Sequence, residues 1–327
     1  MKMFITGATG FIGTHLLKRL SQTSHQLYCL ARKNSNTQHL KEAGATIVPG
    51  DVTDKRSLLE GMKGCDWVVN LANIYTFWEP NRRIYTDVNI AGTRNVMESA
   101  LENRISKVLH VSTVLIYGKP ADIPFTGQSE VGPARFSEYA RTKYEGDLIA
   151  WELFNKKKLP LVVVYPGMVV GPGNPKYGAQ LVRNLVERRM PVLAFADRTN
   201  FMAYVGDVAD VIVRALVKEG NLGEKYLVGQ QISMGDFYQM ISEISKVPLP
   251  RFSLPNSLTV INGQFMTFIA NLTKKQPMWG LAIDALRTAN NDVKGDGSKV
   301  ERELGISYTP IRVALEEEIA FYRRGSL

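Results

Sequence analysis

At 327 residues, with 45% hydrophobic and 22% charged residues, the chain has room for one large core or two smaller ones, which excludes a disordered or low-complexity protein. The net charge of +9 raises the question of nucleic acid, but Lys and Arg are dispersed. The local clusters (156–158, 188–189, 274–275, 323–324) lack interleaved aromatics and read as solvated faces with a mild pull on anionic ligands.

The chain enters a strand at once, 2-KMFIT-6, with no leader pattern before it, so a cytoplasmic protein is expected. Further strands are predicted at 26–31, 46–50, 67–72, 107–113 and 160–166, and helices between them at 12–22, 56–64, 88–103 and 138–157. Apolar strands alternating with helices predict an α/β fold: a Rossmann-type, doubly wound parallel sheet covered on both faces. Residues 203–220 and 225–229 read as a strand-helix-strand return to that sheet. The remainder predicts a smaller, mostly helical substrate domain built from discontinuous pieces. The expected division is 1–173 with 204–230 for the dinucleotide and 174–203 with 231–327 for the substrate. Within the second part, the uncharged run 252–273 holds Pro255, Gly263, Gln264 and three Asn, which argues against a transmembrane span. It reads as an apolar helix closing a substrate pocket, and a surface-lying membrane contact stays open. Cys29 and Cys65 sit in apolar runs and read as small buried hydrophobes of a reducing compartment. His15, His25, His39 and His110 lack zinc-type spacing, so no metal is expected.

The first strand runs into 6-TGATGFIGTHL-16, where Gly7, Gly10 and Gly13 precede a helix. Such glycines let the backbone approach a pyrophosphate that the helix N-terminus attracts. The second strand ends in 29-CLARKN-34, with Arg32 and no acid. Arg grips a ribose 2′-phosphate in bidentate fashion, so NADP(H) is expected, with NAD(H) as the alternative. After the third strand, 50-GDVTD-54 offers Asp51 and Val52 to an adenine; Asp51 could equally cap the following helix.

The strand 107–113 ends in Ser112-Thr113, followed by Tyr117-Gly118. Parallel sheets bind ligands beyond the carboxyl ends of their strands, so these hydroxyls belong to the cleft. On the next helix Tyr139 and Lys143 are one turn apart on one face. A neighbouring ammonium lowers a tyrosine pKa and favours proton exchange with a carbonyl or hydroxyl.

With these motifs the chain resembles the extended short-chain dehydrogenases/reductases, the NAD-dependent epimerase/dehydratase-like superfamily. The resemblance covers nearly all of the chain. It rests on TGATGFIG, 50-GDVTD-54, 71-LAN-73, Asn89 to Asn95 (N-x-x-GT-x-N), S-T-x-x-x-YG at 112–118, Y-x-x-x-K, 166-PGMVVGPG-173, and the closing 298-SKVERELGISYTP-310. It implies Thr113, Tyr139 and Lys143 as catalytic residues, with Asn89 supporting a proton relay. It implies dinucleotide contacts from Gly7, Thr9, Gly10, Phe11, Ile12, Gly13, Arg32, Asp51, Val52, Leu71, Ala72, Asn73, Tyr139, Lys143, Pro166, Gly167 and Val169. Lys143 would bond the nicotinamide ribose, and Pro166-Gly167 would flank the nicotinamide. Arg32, 94-RNVMESA-100, 110-HVSTVLIYG-118 and 169-VVGPG-173 are more similar to dihydroflavonol-4-reductase-like members than to nucleotide-sugar epimerases. Asn73, Tyr165 and Val205-Gly206-Asp207 depart from the usual pattern, but none removes a catalytic group.

The resemblance thus implies an NADP(H)-dependent reductase of a ketone or aldehyde. The alternatives are a nucleotide-sugar epimerase or dehydratase with retained NAD, and a non-catalytic dinucleotide-binding protein; the intact Thr113, Tyr139 and Lys143 argue against the last. A homodimer through the helix carrying Tyr139 rests on family analogy alone. Tyr75, Phe77 and Trp78 read either as a stacking surface for substrate or as a self-packed loop. Arg183 reads as an anion contact or a surface residue.

Overall fold

The computed structural model describes residues 1–175 and 177–325, with every side chain except that of residue 279. The first part comprises β1 (Lys2–Thr6), α1 (Phe11–Leu20), β2 (Gln26–Ala31), α2 (Gln38–Glu42), β3 (Thr46–Pro49), α3 (Lys55–Gly61), β4 (Trp67–Asn70), α4 (Arg83–Tyr85), α5 (Thr93–Glu102), β5 (Lys107–Val111), α6 (Glu138–Lys157) and β6 (Leu161–Pro166). The rest adds β7 (Met168–Val170), α7 (Tyr177–Val186), β8 (Thr199–Tyr204), α8 (Val205–Val217), β9 (Lys225–Val228), β10 (Gln230–Ser233), α9 (Met234–Ser245), α10 (Asn256–Thr273), α11 (Ile283–Ala289), α12 (Ser298–Leu304) and α13 (Ile311–Gly325).

Seven strands form a parallel sheet in the order β3-β2-β1-β4-β5-β6-β9. The alternation of side chains across each strand feeds two cores. Met3, Ile5, Val69 and Leu109 pack against Leu16 and Leu17 of α1 and Val208 and Ile212 of α8. Phe4, Val68 and Val108 face Leu58 of α3, Val96 and Met97 of α5 and Ala150 of α6. Burial on both faces explains why β6 reads as an unbroken apolar run; β5 is buried throughout as well, although it carries Lys107 and His110. The strand order reverses between β1 and β4, and the crevice beyond their carboxyl ends is where such sheets hold ligands.

The expected return to the sheet is half right in its details. β9 joins the large sheet beside β6, whereas β8 pairs with β7 and β10 in a separate three-stranded sheet, so the second part is not helical alone. The cause is local. Gly167 separates β6 from β7, and a Cβ there would lie 2.1 Å from the carbonyl oxygen of Phe201 in β8, so only glycine lets the chain cross so close and start a new sheet. The third core lies here, with Val182, Phe237, Ile241, Leu315 and Ile319.

Below this small sheet, Glu318 of α13 is fully buried and accepts from the Gly171 amide at 2.8 Å, while Tyr322 donates to its other oxygen at 3.2 Å. Burial pushes its carboxyl from 4.5 up to about 7. The folded protein therefore binds this proton more tightly than the unfolded chain. That stability is fully present below about 4.5 and is lost as pH rises through about 7. Glu318→Gln keeps an acceptor for Gly171. We expect the wild-type Tm, relative to this variant, to fall between pH 5 and 8 by the equivalent of about 2–3 kcal/mol, as read by thermal unfolding across that range.

Candidate active site

A cleft of about 640 Å³ opens along the carboxyl ends of the large sheet. At one end Gly7, Gly10 and Gly13 form its floor. Gly7 has φ +70°, and a Cβ there would stand 2.6 Å from the Ala72 amide nitrogen; one at Gly13 would stand 2.6 Å from the carbonyl oxygens of Gly7 and Ala8. No side chain caps α1, whose N-cap is Gly10, so its first amides face the cleft without a built-in acceptor. This cradle fits a dinucleotide pyrophosphate. Arg32 and Ser35 line the same cleft beyond β2, where no acid stands. Asp51 and Val52 line it beyond β3. Asp51 is not the cap of α3: its carboxylate accepts from the amide and hydroxyl of Thr53 at 2.9 and 2.8 Å, and Asp54 caps the helix by accepting from the Arg56 amide.

At the other end the cleft is lined by Leu71, Ala72 and Asn73 beyond β4, Thr113 beyond β5, Pro166 at the end of β6, Gly167 and Val169 beyond it, and Tyr139 of α6. Thr9, Phe11 and Ile12 complete the lining beside the glycines. Ser137 caps α6 by accepting from the Ala140 amide at 3.2 Å, which sets where Tyr139 emerges. Thr113, whose side-chain oxygen accepts from the Leu115 amide at 3.3 Å, lines the same end of the cleft as Tyr139, and the Tyr139 ring lies 4.9 Å from that of Tyr75. Burial and the Tyr75 hydroxyl push the Tyr139 phenol far above its usual value; the neighbouring Thr113 side chain only partly offsets this. Lys143, expected beside this phenol, is hydrogen-bonded elsewhere.

Lys143 is 1% exposed, does not line the cleft, and donates to the Val111 carbonyl at 3.0 Å beneath it. Burial lowers its ammonium to about 8, and the negative charge of Asp147 opposes that lowering. Asp147, one further turn along α6, was missed in the sequence, although a carboxylate at i+4 from a lysine is a readable signal. It accepts from the Tyr165 hydroxyl at 2.6 Å, and Tyr165 accepts from Trp151 at 3.1 Å. Its other oxygen lies 3.6 Å from His110 Nε2. Thr6 donates to Asn70 at 2.6 Å, which orients the Asn70 amide to donate to His110 Nδ1 at 3.1 Å and leaves the His110 proton on Nε2, toward Asp147. A buried polar strip thus crosses β1, β4, β5 and β6 directly under the cleft.

Asn89 also stays out of the cleft. It lies in a π-helical turn, Thr86–Gly92, and is spent on structure: its oxygen accepts from the Ile74 amide at 2.8 Å, and its nitrogen donates to Thr142 at 3.0 Å and to the Ile74 carbonyl at 3.3 Å. It ties the loop after β4 to α6. Of the three aromatics on that loop, Tyr75 and Phe77 line the cleft with Tyr177, and Phe77 packs 5.2 Å from Tyr177. Trp78 instead donates to Asn271 of α10 at 2.9 Å. Arg183 stacks on Tyr322, 4.9 Å from its ring centre, away from the cleft. The pocket wall expected from 252–273 comes from α11, through Ala285, Thr288 and Ala289; α10 lies behind it. Burial pushes the free thiols of Cys29 and Cys65 up to about 12 and about 11, so neither is a ready nucleophile.

A glycine cradle at a helix start, on a doubly wound sheet with a tyrosine at the cleft's other end, defines a dinucleotide-dependent enzyme. The chain belongs to the NAD-dependent epimerase/dehydratase family, whose family model matches residues 3–229. It is 24% identical over 331 residues to a Synechocystis protein named "Putative dihydroflavonol 4-reductase", covering 98% of this chain and 94% of that one. It is 28% identical over 341 residues to sterol demethylase protein B of Methylococcus capsulatus, covering 99% and 98%. In fold it matches UDP-glucuronic acid 4-epimerase from Bacillus cereus, solved with UDP-glucuronic acid and NAD, at a TM-score of 0.78 and 22% identity over 99% of both chains. No helix among the described residues is long and apolar enough to cross a membrane.

Proposed function

We propose that the protein is an NADP(H)-dependent oxidoreductase that reduces a ketone or aldehyde. The observation that carries this reading is that Thr113 and Tyr139 line one cleft with a glycine cradle and with a strand tip that offers Arg32 and no acid. The bound dinucleotide supplies hydride chemistry. Gly7, Gly10 and Gly13 hold its pyrophosphate, Asp51 and Val52 its adenine, and Arg32 its 2′-phosphate. Leu71, Ala72, Asn73, Pro166, Gly167 and Val169 wall the nicotinamide half. Thr113 orients the substrate oxygen and Tyr139 donates a proton to it. Lys143, underneath, stabilises the phenolate that remains. Residues 1–173 with 204–230 carry the cofactor, and 174–203 with 231–327 the substrate.

The second reading, an epimerase or dehydratase with retained NAD, is favoured by the fold match to an NAD-bound 4-epimerase. Denaturing the purified protein and weighing the released nucleotide separates the two. Stoichiometric NAD⁺ overturns the reductase; little nucleotide, or partial NADP(H), supports it and calls for a carbonyl panel with NADPH. Arg32 gives an independent check. A charge-assisted hydrogen bond contributes about 1.5–3 kcal/mol. Arg32→Asp is therefore expected to raise KM for NADPH by about 10- to 100-fold while leaving KM for NADH within a few-fold, read by steady-state kinetics with both nucleotides.

A further inference from the structure

Helix α10 is built inside out. Its inward face is small or polar: Thr259, Gly263 and Ala270 are buried, and a Cβ on Gly263 would press 2.3 Å from Leu286 of α11. Thr267 accepts from the Ile283 amide at 2.8 Å, and Trp78 bonds Asn271, so the helix is fixed on the body by polar and close backbone contacts. The large apolar side chains point the other way. Leu258, Ile261, Phe265, Phe268 and Leu272 are 53%, 58%, 59%, 60% and 68% exposed, and their spacing of three and four residues makes one stripe along about 21 Å of helix. Phe252, 74% exposed, extends the stripe from a loop whose backbone is pinned to Leu193 by two hydrogen bonds. A continuous exposed apolar face of this length marks an interaction surface.

The charges around it name the partner. Between Ile244 and Ile283 the only charged residues are Lys246, Arg251, Lys274 and Lys275, all positive, and no acid interrupts them. Arg251 and Lys274-Lys275 are exposed and flank the apolar stripe at its two ends. Aromatic and aliphatic side chains on a rigid helix face, bracketed by cations, suit the headgroup boundary of an anionic bilayer, where the rings enter the acyl region and the cations meet lipid phosphates. The helix is too short and too polar on its inner side to cross. We propose that α10 docks the protein flat on an anionic membrane surface. Because α10 backs α11, which lines the cleft, docking sets the substrate side of the cleft against the lipid. This does not depend on the carbonyl-reductase reading, since binding to lipid requires no turnover.

The test is co-sedimentation of the full chain with phosphatidylcholine vesicles containing about a third phosphatidylglycerol, and with phosphatidylcholine alone. The wild type is expected to bind the anionic vesicles. Phe265→Ser with Phe268→Ser, and separately Lys274→Glu with Lys275→Glu, should each weaken that binding by about tenfold or more, with unchanged thermal unfolding. Three results would overturn the proposal. One is no binding to anionic vesicles. Another is equal binding to phosphatidylcholine alone, or binding that neither double variant weakens. The third is a stable dimer at the working concentration, dissolved by the Phe265→Ser, Phe268→Ser variant, with no vesicle binding; that face would then belong to a second copy of the chain.

Discussion

Replacing Tyr139 by Phe is expected to lower kcat by about 10³-fold while the nucleotide binds with unchanged affinity. The substitution removes one hydroxyl and keeps the ring, so packing against Tyr75 at 4.9 Å and Phe77 at 6.5 Å survives and the cleft keeps its shape. What is lost is the proton donor. The direction of the Tyr139 shift bears on the direction of the reaction. A phenol pushed far up by burial carries its proton at every working pH, which suits it to give a proton to a carbonyl oxygen. Taking a proton from an alcohol would require the phenolate to form against that burial, with Lys143 as the nearby cation that favours it. Carbonyl reduction should therefore show no acidic or neutral limb from this group. The measurement is single-turnover nucleotide oxidation at saturating carbonyl substrate, beside a fluorescence titration of NADPH. Activity within tenfold of wild type would remove Tyr139 from the chemistry.

How far the sequence carried this picture differs between its parts. The cradle and the lining of the cleft were legible because they are made by short motifs at strand ends, where position along the chain dictates position in space. Gly7, Arg32, Asp51, Ala72, Thr113 and Gly167 each follow a strand of one parallel sheet, so they had to converge. The fate of Lys143 and Asn89 was not legible, because a helical face tells which residues share a side and not how deep each lies. Lys143 is one turn from Tyr139 yet is wholly buried, and Asn89 is consumed by Ile74 and Thr142. The small sheet was missed because β7 and β10 have only three and four residues, too short for a period to register, and its existence depends on the crossing at Gly167. Helix α10 misled for a related reason. An apolar run predicts an inward face, whereas the glycine and threonines that permit close packing mark the inner face.

The polar strip under the cleft supplies the second large effect. Asp147→Ala is expected to destabilise the fold by about 3–5 kcal/mol, because it leaves the Lys143 charge buried without its counter-charge and the Tyr165 hydroxyl without its acceptor. Asp147→Asn separates the two losses: the amide oxygen can still accept from Tyr165, and only the charge is gone. The sign of the pH effect follows from Lys143. Its folded pKa, about 8, lies below the ordinary 10.5, so the neutral lysine is the form the fold prefers. The stability this brings is present above about 10.5 and is lost as pH falls through about 8. Asp147 raises the folded value, so removing its charge lowers it further, and the ammonium begins to lose its proton nearer neutrality. If that ammonium supports the phenolate of Tyr139, the alkaline limb of kcat/KM in Asp147→Asn moves down from about pH 8 while its acid side stays in place. Denaturant unfolding of both variants gives the stability terms, and kcat/KM from pH 6 to 9 gives the limb. An unshifted limb in Asp147→Asn, in a protein that remains folded, would mean that the carboxylate serves Tyr165 and the fold alone and that Lys143 acts without it.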